Sequence, residues 1–508
     1  MSVTYSTTEN NSVQYSNSGT KCLDLFSRIG AFRNWNPHQV QEEFKAAFDE
    51  DNKLATQILF WARAARLGAG ERDTFHHIFT WYKHESHKFV ADNAKTLAEL
   101  GYWKDLLPYF MVDGVVEVFA KAITDGDRLA CKWAPRKGEH ARKLRDACKF
   151  TNKGYRQWIK NNSETVENNM SDQQWDAITY SSVPGAAMRK YKKAFDKRDT
   201  DRFTAWKEDK DSKAAMSASY PHDVIKSVAG DMEWGVEPSG ETDWPLAQKQ
   251  WDNLPNFIKE GENILPLSDV SGSMAGLPML VSISLGMYLA NRNTGAFHNK
   301  FMTFSQNPQI VRLKGTLEEQ FRTVSQADWG YNTDFEKCYT KILEDAQSVQ
   351  ASPEDMPTML LVLSDMQFDE ADGRNMHLQN IRKQYREAGY VMPKLVFWNL
   401  RASTCAGSPA TSHDDGVALV SGFSPVLMKA VLAVEDFNPV DVMHEALSAI
   451  ELDYTNLPDV YRVGLSYKED DEPSYDKTFD GPESIIDDNL FNGDTEDEWM
   501  DYQDEHFS

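Results

Sequence analysis

The chain has 508 residues, room for two to four domains at ~150 residues each, and its 41% hydrophobic and 12% aromatic content excludes wholesale disorder. With 54 Lys and Arg against 78 Asp and Glu the formal charge is −24, which on its face argues against nucleic acid, because phosphate contacts need basic surface. That total is polarised: sixteen acids and one lysine lie between Glu469 and Ser508, whereas Arg128 to Lys160 carries eleven basic residues against Glu139 and Asp146 alone.

In chain order, residues 1–20 are rich in Ser, Thr and Asn and read as a flexible arm, with no charged or apolar region of a signal peptide. Residues 21–228 have helical period. Phe44, Phe48, Leu54, Ile58, Leu59 and Ala62 recur at three- and four-residue steps until Gly68-Ala69-Gly70, and Phe75, Ile78, Phe79 and Tyr82 begin a second run. Asp92 is expected to cap the segment leading to Leu97 and Leu100, which Gly101 ends. Helix pairs joined by short turns predict an α-helical repeat, a HEAT-like solenoid, without a fixed repeat length. Residues 229–262, with three prolines or glycines before Gly240 and more after it, read as a connecting segment.

From 263 to 468 short apolar runs alternate with helical stretches. Strands are predicted at 263–267, 300–304, 309–313, 359–363, 395–399 and 417–420, and helices at 277–291, 317–325, 335–346, 375–388, 425–434 and 440–452. This is the grammar of an α/β doubly wound, Rossmann-like domain with a buried sheet. Residues 469–508 form an acidic tail without a periodic face. No apolar run approaches the ~18 residues of a membrane span. Five scattered cysteines fit reduced thiols, so the expectation is a soluble cytoplasmic protein.

Ligands of open α/β sheets bind at the carboxyl ends of strands, and the oxygen donors of this chain cluster there. Asp269, Ser271 and Ser273 follow the first strand, Asp365 follows the fourth, and Thr333 occupies a loop before a helix. Two carboxylates and three hydroxyls are a hard set suited to Mg²⁺, Ca²⁺ or Mn²⁺. A lone Asp-x-Ser-x-Ser is also an ordinary helix-capping cluster; the strand context and the matching Asp and Thr favour a divalent cation.

The basic stretch Lys132, Arg136, Lys137, Arg142, Lys143, Arg145, Lys149, Lys153, Arg156 and Lys160 is interleaved with Trp133, Tyr155 and Trp158. A second cluster, Arg189, Lys190, Lys192, Lys193 and Lys197, follows Pro184, with Arg189, Lys193 and Lys197 on one helical stripe. Basic grooves with aromatic platforms suit single-stranded RNA; the competing reading is solvated helix faces over core aromatics. The acidic tail is then an internal competitor for the same basic surface. The turn Arg66–Arg72 lacks the ending of a phosphate loop, and His77, His84 and His87 lack cysteine or carboxylate partners for zinc. No catalytic triad or zinc-protease motif stands out, and hard-metal phosphoryl chemistry lacks a base or nucleophile, so the chain reads as a binding protein rather than an enzyme.

LPLSDVSGSM, WGYNTDF and LVLSDMQFD resemble a von Willebrand factor A domain with its metal-ion-dependent adhesion site. The resemblance assigns Asp269, Ser271 and Ser273 to the first loop, Thr333 to the second and Asp365 to the third, and implies an acidic protein ligand completing the shell of the ion. The helical half, through ARAARLGAGERDTF, LGYWKDLL, CKWAPRKG, NKGYRQWI, YSSVPGAAMRKYKKAF and SYPHDVI, resembles the TROVE module of the Ro ribonucleoprotein family. The motifs are most similar to a related uncharacterised family of cellular and viral proteins with the same two-part order. The Ro likeness implies RNA as partner. Without it, a metal-dependent protein–protein adaptor or assembly factor is the alternative.

Overall fold

A computed structural model describes residues 5–7, 13–33, 35–216, 219–230, 242–258, 262–269, 272–303, 308–326, 335–366, 374–401, 408–412, 414–434 and 437–463. The helical region begins with α1 (Lys21–Ile29), α2 (Pro37–Glu50) and α3 (Asn52–Arg63). Thr20 caps α1, and Asn36 with Gln39 forms a capping box ahead of Pro37, so both start where side chains satisfy free backbone N–H groups. The apolar run from Phe44 to Ala62 is two helices rather than one, because the Asp51 side chain accepts from Leu54 N and starts a new helix. Short helices follow: α4 (Asp73–Phe79), α5 (Tyr82–Glu85), α6 (His87–Asp92) and α7 (Ala94–Leu100). Asp92 therefore ends a helix instead of capping one. After a 3₁₀ turn at Trp103–Tyr109 come α8 (Val115–Thr124), α9 (Arg128–Trp133), α10 (Gly138–Ala147), α11 (Asn152–Ser163), α12 (Val166–Ser171), α13 (Gly185–Arg198), α14 (Thr200–Glu208) and α15 (Pro221–Ala229). The 229–262 connection contains α16 (Trp244–Asp252), whose Trp251 is buried and donates to Asn291 Oδ1 at 2.9 Å.

Two short strands, β1 (Tyr5–Thr7) and β2 (Val13–Tyr15), precede the helices as a hairpin. Part of the expected flexible arm is thus docked. Tyr15 and Ser408 exchange backbone hydrogen bonds of 3.1 and 2.7 Å, and Ser18 N donates to Asp24 Oδ1 at 2.7 Å. The C-terminal half is an α/β unit around a six-stranded mixed sheet. Its strands are β3 (Ile264–Ser268), β4 (Lys300–Thr303), β5 (Ile310–Arg312), β6 (Met359–Ser364), β7 (Lys394–Asn399) and β8 (Val417–Ser421), in the order β5-β4-β3-β6-β7-β8. All pairs are parallel except β4 with β5.

Both faces of the sheet are covered, which is why its central strands read as unbroken apolar runs. Leu265, Leu267, Leu360, Val362 and Phe397 pack with Tyr339 and Ile342 of α19 (Phe335–Ser348) and with Ile381 and Tyr385 of α20 (Arg374–Glu387). On the other face Ile264, Leu361, Leu363, Val396 and Trp398 join α17 (Leu277–Arg292). A Cβ on Gly286 of α17 would lie 2.4 Å from the Phe301 ring and 2.6 Å from Ser268 Oγ, so only glycine lets this helix sit so close to β3 and β4. The helices α18 (Leu317–Ser325), α21 (Leu427–Val431) and α22 (Pro439–Leu447) complete the unit. Among the described residues no helix is long and apolar enough to cross a membrane.

The second face of the sheet shares one continuous apolar core with the helical region. Ser421 Oγ accepts from Gly30 N at 3.0 Å and donates to the carbonyl of Phe26 at 2.9 Å, fixing α1 to the end of β8. A Cβ on Gly30 would lie 2.7 Å from the backbone of Ser421 and Gly422. Arg33 holds Glu71 through Nη2 at 2.7 Å and lies 3.9 Å from the Phe423 ring centroid. Residues 448–463 run back over the helices. Asn93 Nδ2 donates to the carbonyl of Asp453 at 2.9 Å, Ser86 to that of Asn456 at 2.8 Å, and Tyr461 is sealed among Phe44, Phe48 and Trp81.

Candidate metal centre and candidate nucleic-acid groove

β3 connects to β4 on one side of the sheet and β6 leads to β7 on the other, so the crevice between β3 and β6 is a topological switch point. Asp269 follows β3 and Asp365 follows β6, and the strands are in register with Ser268 opposite Leu363. Both aspartates are buried. Asp269 N donates to the carbonyl of Leu363 at 2.9 Å, and Ser364 Oγ donates to Asp269 Oδ2 at 2.6 Å while accepting from Met366 N at 3.1 Å. That chain of bonds fixes the carboxylate in orientation, as outer-shell groups do around metal ligands. Directly after Asp365 the backbone turns through Met366 at φ 65°, a conformation that L side chains with a Cβ rarely hold. Ser273 is exposed on the turn Gly272–Met274, where Arg401 from the end of β7 donates to its carbonyl. Ser271 and Thr333 lie outside the described residues. The described part of the expected set thus consists of two buried carboxylates at neighbouring strand ends and one nearby serine, hard donors that fit a divalent cation with hydroxyl help. Among the described residues no three His, Cys, Asp or Glu side chains converge as a metal site; His84 and His87 are exposed on the helical surface.

The helical region encloses a groove of about 2620 Å³, lined by segments from Arg66 to Ser219. This exceeds the ~300–1,000 Å³ of small-molecule pockets and suits an extended ligand. Fourteen lysines and arginines line it against six aspartates and glutamates. The two basic segments meet here in part. Lys132, Arg136, Lys137, Lys143, Arg156 and Lys160 from the first and Lys190 from the second line the groove. Arg142, Arg145, Lys153, Arg189, Lys193 and Lys197 are not among its lining. Arg145 pairs with Asp146 at 2.9 Å, and Arg189 lies 3.5 Å from Asp223. The single stripe expected of Arg189, Lys193 and Lys197 therefore stands outside the groove.

The interleaved aromatics divide in the same way. Tyr155 is buried and donates to the carbonyl of Pro135 at 3.1 Å, and Trp158 donates to that of Ile123 at 2.7 Å while packing on Phe150. These two hold helices together. Trp133 is half-buried in the groove wall, 5.4 Å from the Tyr102 ring, with Lys104 Nζ 4.9 Å from its centroid.

Sequence reading missed half of the groove's cations. Arg66, Arg72, Lys83 and Lys104 come from the first helices, where acids on outer faces dilute the local charge. Behind them is a buried network. Arg63 pairs with Asp105, whose Oδ1 lies 3.5 Å from Arg72 Nε and from His76 Nε2, and whose Oδ2 accepts from Tyr102 N at 2.8 Å. His76 Nδ1 is 2.8 Å from Tyr109 OH. Burial alone would raise the Asp105 pKa, but Arg63 and the hydrogen bonds outweigh it and hold the carboxyl below its ordinary range. Burial lowers that of His76, keeping the imidazole neutral. The turn once comparable to a phosphate loop delivers Arg66 and Arg72 to the groove and spends Glu71 on Arg33.

Two family models match the chain, both domains of unknown function: DUF2828 over residues 8–117 and 112–263, and DUF7788 over residues 263–456. They meet one residue before β3. The chain is also similar to the uncharacterized protein L728 of Acanthamoeba polyphaga mimivirus, at 28% identity over 499 residues, covering 87% of this chain and 86% of the viral protein.

Proposed function

The chain belongs to the family of the domain of unknown function DUF2828, and on that premise we propose that it is an RNA-binding protein whose helical region holds single-stranded RNA in the basic groove. The observation that carries this reading is the excess of fourteen cations over six carboxylates along one concave surface of a chain whose net charge is −24. Electrostatic contact of this kind releases counterions and is sequence-tolerant. In the same proposal the helices are a HEAT-like, TROVE-type module and the α/β unit is a von Willebrand factor A domain. Asp269, Ser271, Ser273, Thr333 and Asp365 would hold Mg²⁺, or Ca²⁺ or Mn²⁺, and the ion would supply an open coordination position for an acidic protein ligand. The strand order, with its switch point between β3 and β6, supports that domain type.

The test is a gel-shift series with RNA, using the full chain and one ending at Lys468. Binding that weakens steeply with salt, and more tightly in the shortened chain, is expected; no shift for either at ~50 mM salt would sink the reading. The buried pair Asp269 and Asp365 favours a second reading, a metal-dependent adaptor without RNA. A protein partner lost on chelation and on Asp269→Ala, but indifferent to nuclease, would favour it.

A further inference from the structure

The inner wall of the groove carries a lysine without a counter-group. Lys83 is 7% exposed, lines the groove and has no hydrogen-bond or ion-pair partner among the described residues. Its aliphatic stem is packed into the wall while the ammonium opens onto the groove, where an anion can meet it without displacing a partner. Its placement follows from the helices. Thr80 and Trp81 keep right-handed helical backbone between α4 and α5, so Arg72, His76, Thr80 and Lys83 fall at steps of four, four and three along one face. Arg72 and Lys104 line the same groove, and Lys104 is as buried as Lys83. The network's own carboxylate, Asp105, is already engaged by Arg63 and Arg72, and Glu71 by Arg33. Lys83 thus stands beside Arg72 and Lys104 with no carboxylate partner of its own among the described residues.

We propose that this wall is a phosphate subsite, in which Lys83 receives the phosphate group of an RNA strand and Arg72 and Lys104 add to the field. The identity of the strand rests on the RNA reading; the anion chemistry does not. A compact, three-donor ammonium on a stem held by the wall suits a phosphate oxygen.

The test uses the full chain, Lys83→Met and Lys83→Arg. Methionine keeps the buried stem and removes only the charge, so the anion-free melting midpoint should hold. Calorimetric titration with inorganic phosphate should show binding to wild type and Lys83→Arg and none to Lys83→Met, and phosphate should raise the melting midpoint of the first two alone. Short uridine oligomers with a 5′ phosphate, a 3′ phosphate or neither then distinguish the source. A terminal-phosphate advantage lost in Lys83→Met assigns a strand end, whereas a similar loss for all three, with a salt slope lower by about 0.7, assigns a backbone phosphodiester. Equal phosphate binding by wild type and Lys83→Met, or none by wild type, overturns the subsite. Phosphate binding that depends on Lys83 without any RNA binding retains the subsite and sinks the RNA reading.

Discussion

His222 is a neutral imidazole sealed at the joint between the two halves, with ring centroids 5.4 Å from Tyr220 and 5.7 Å from Phe423. Burial pushes its pKa down to about 4 from the usual 6.5; Asp223 opposes this, and Arg33, Arg189 and Lys226 reinforce it. Below pH 6.5 the unfolded chain takes up a proton that the folded chain refuses until about pH 4. The stability His222 contributes is therefore complete above pH 6.5 and lost as pH falls through that window, about 3 kcal/mol in all. Denaturant melts of wild type and His222→Gln between pH 7 and 4 should diverge by that order; parallel pH dependence would contradict the sealed, neutral imidazole. At this scale the metal-site aspartates were legible because each directly follows an apolar strand. Lys83 was not, since its burial depends on helices that meet only in three dimensions.

Residues 448–463 show what an element can do beyond its own domain. The expected helix to Leu452 stops at Leu447 because Gln57 Nε2 donates to the carbonyls of Leu447 and Ile450, at 3.1 and 2.9 Å, and draws the chain across α3. Tyr461 then fills a hole among Phe44, Phe48 and Trp81 with its hydroxyl lacking a partner among the described residues. Tyr461→Ala should cost about 3–5 kcal/mol by leaving an aromatic-sized cavity, while Tyr461→Phe should be neutral or slightly stabilising, because no hydrogen bond is lost. Urea melts of the three proteins check both; a large loss in the phenylalanine variant would reveal a bond to that hydroxyl. The central strands were readable to within a residue or so because their burial is nearly uniform. The strap was not, since nothing local in its sequence names the helices it covers.

For the molecule as a whole, the net charge of −24 conceals an acidic tail and a cationic groove. The density of Arg128 to Lys160 marked one wall of the groove from sequence. It overreached to Arg142, Arg145 and Lys153, because helical periodicity turns a third or more of any charged run away from a concave face. The joint between the halves, built on Gly30, Arg33 and Ser421, left no local signature either. The most direct test of the RNA groove is the salt dependence of RNA affinity in three proteins: wild type, Lys132→Gln with Arg136→Gln and Lys190→Gln, and Arg142→Gln with Arg145→Gln and Lys153→Gln. For single strands, each lost phosphate contact lowers the log–log slope by about 0.7, so the groove variant should lose about two units and the outer variant almost none. Equal slopes in the two variants, or no RNA binding by wild type at low salt, would contradict the groove as the RNA site.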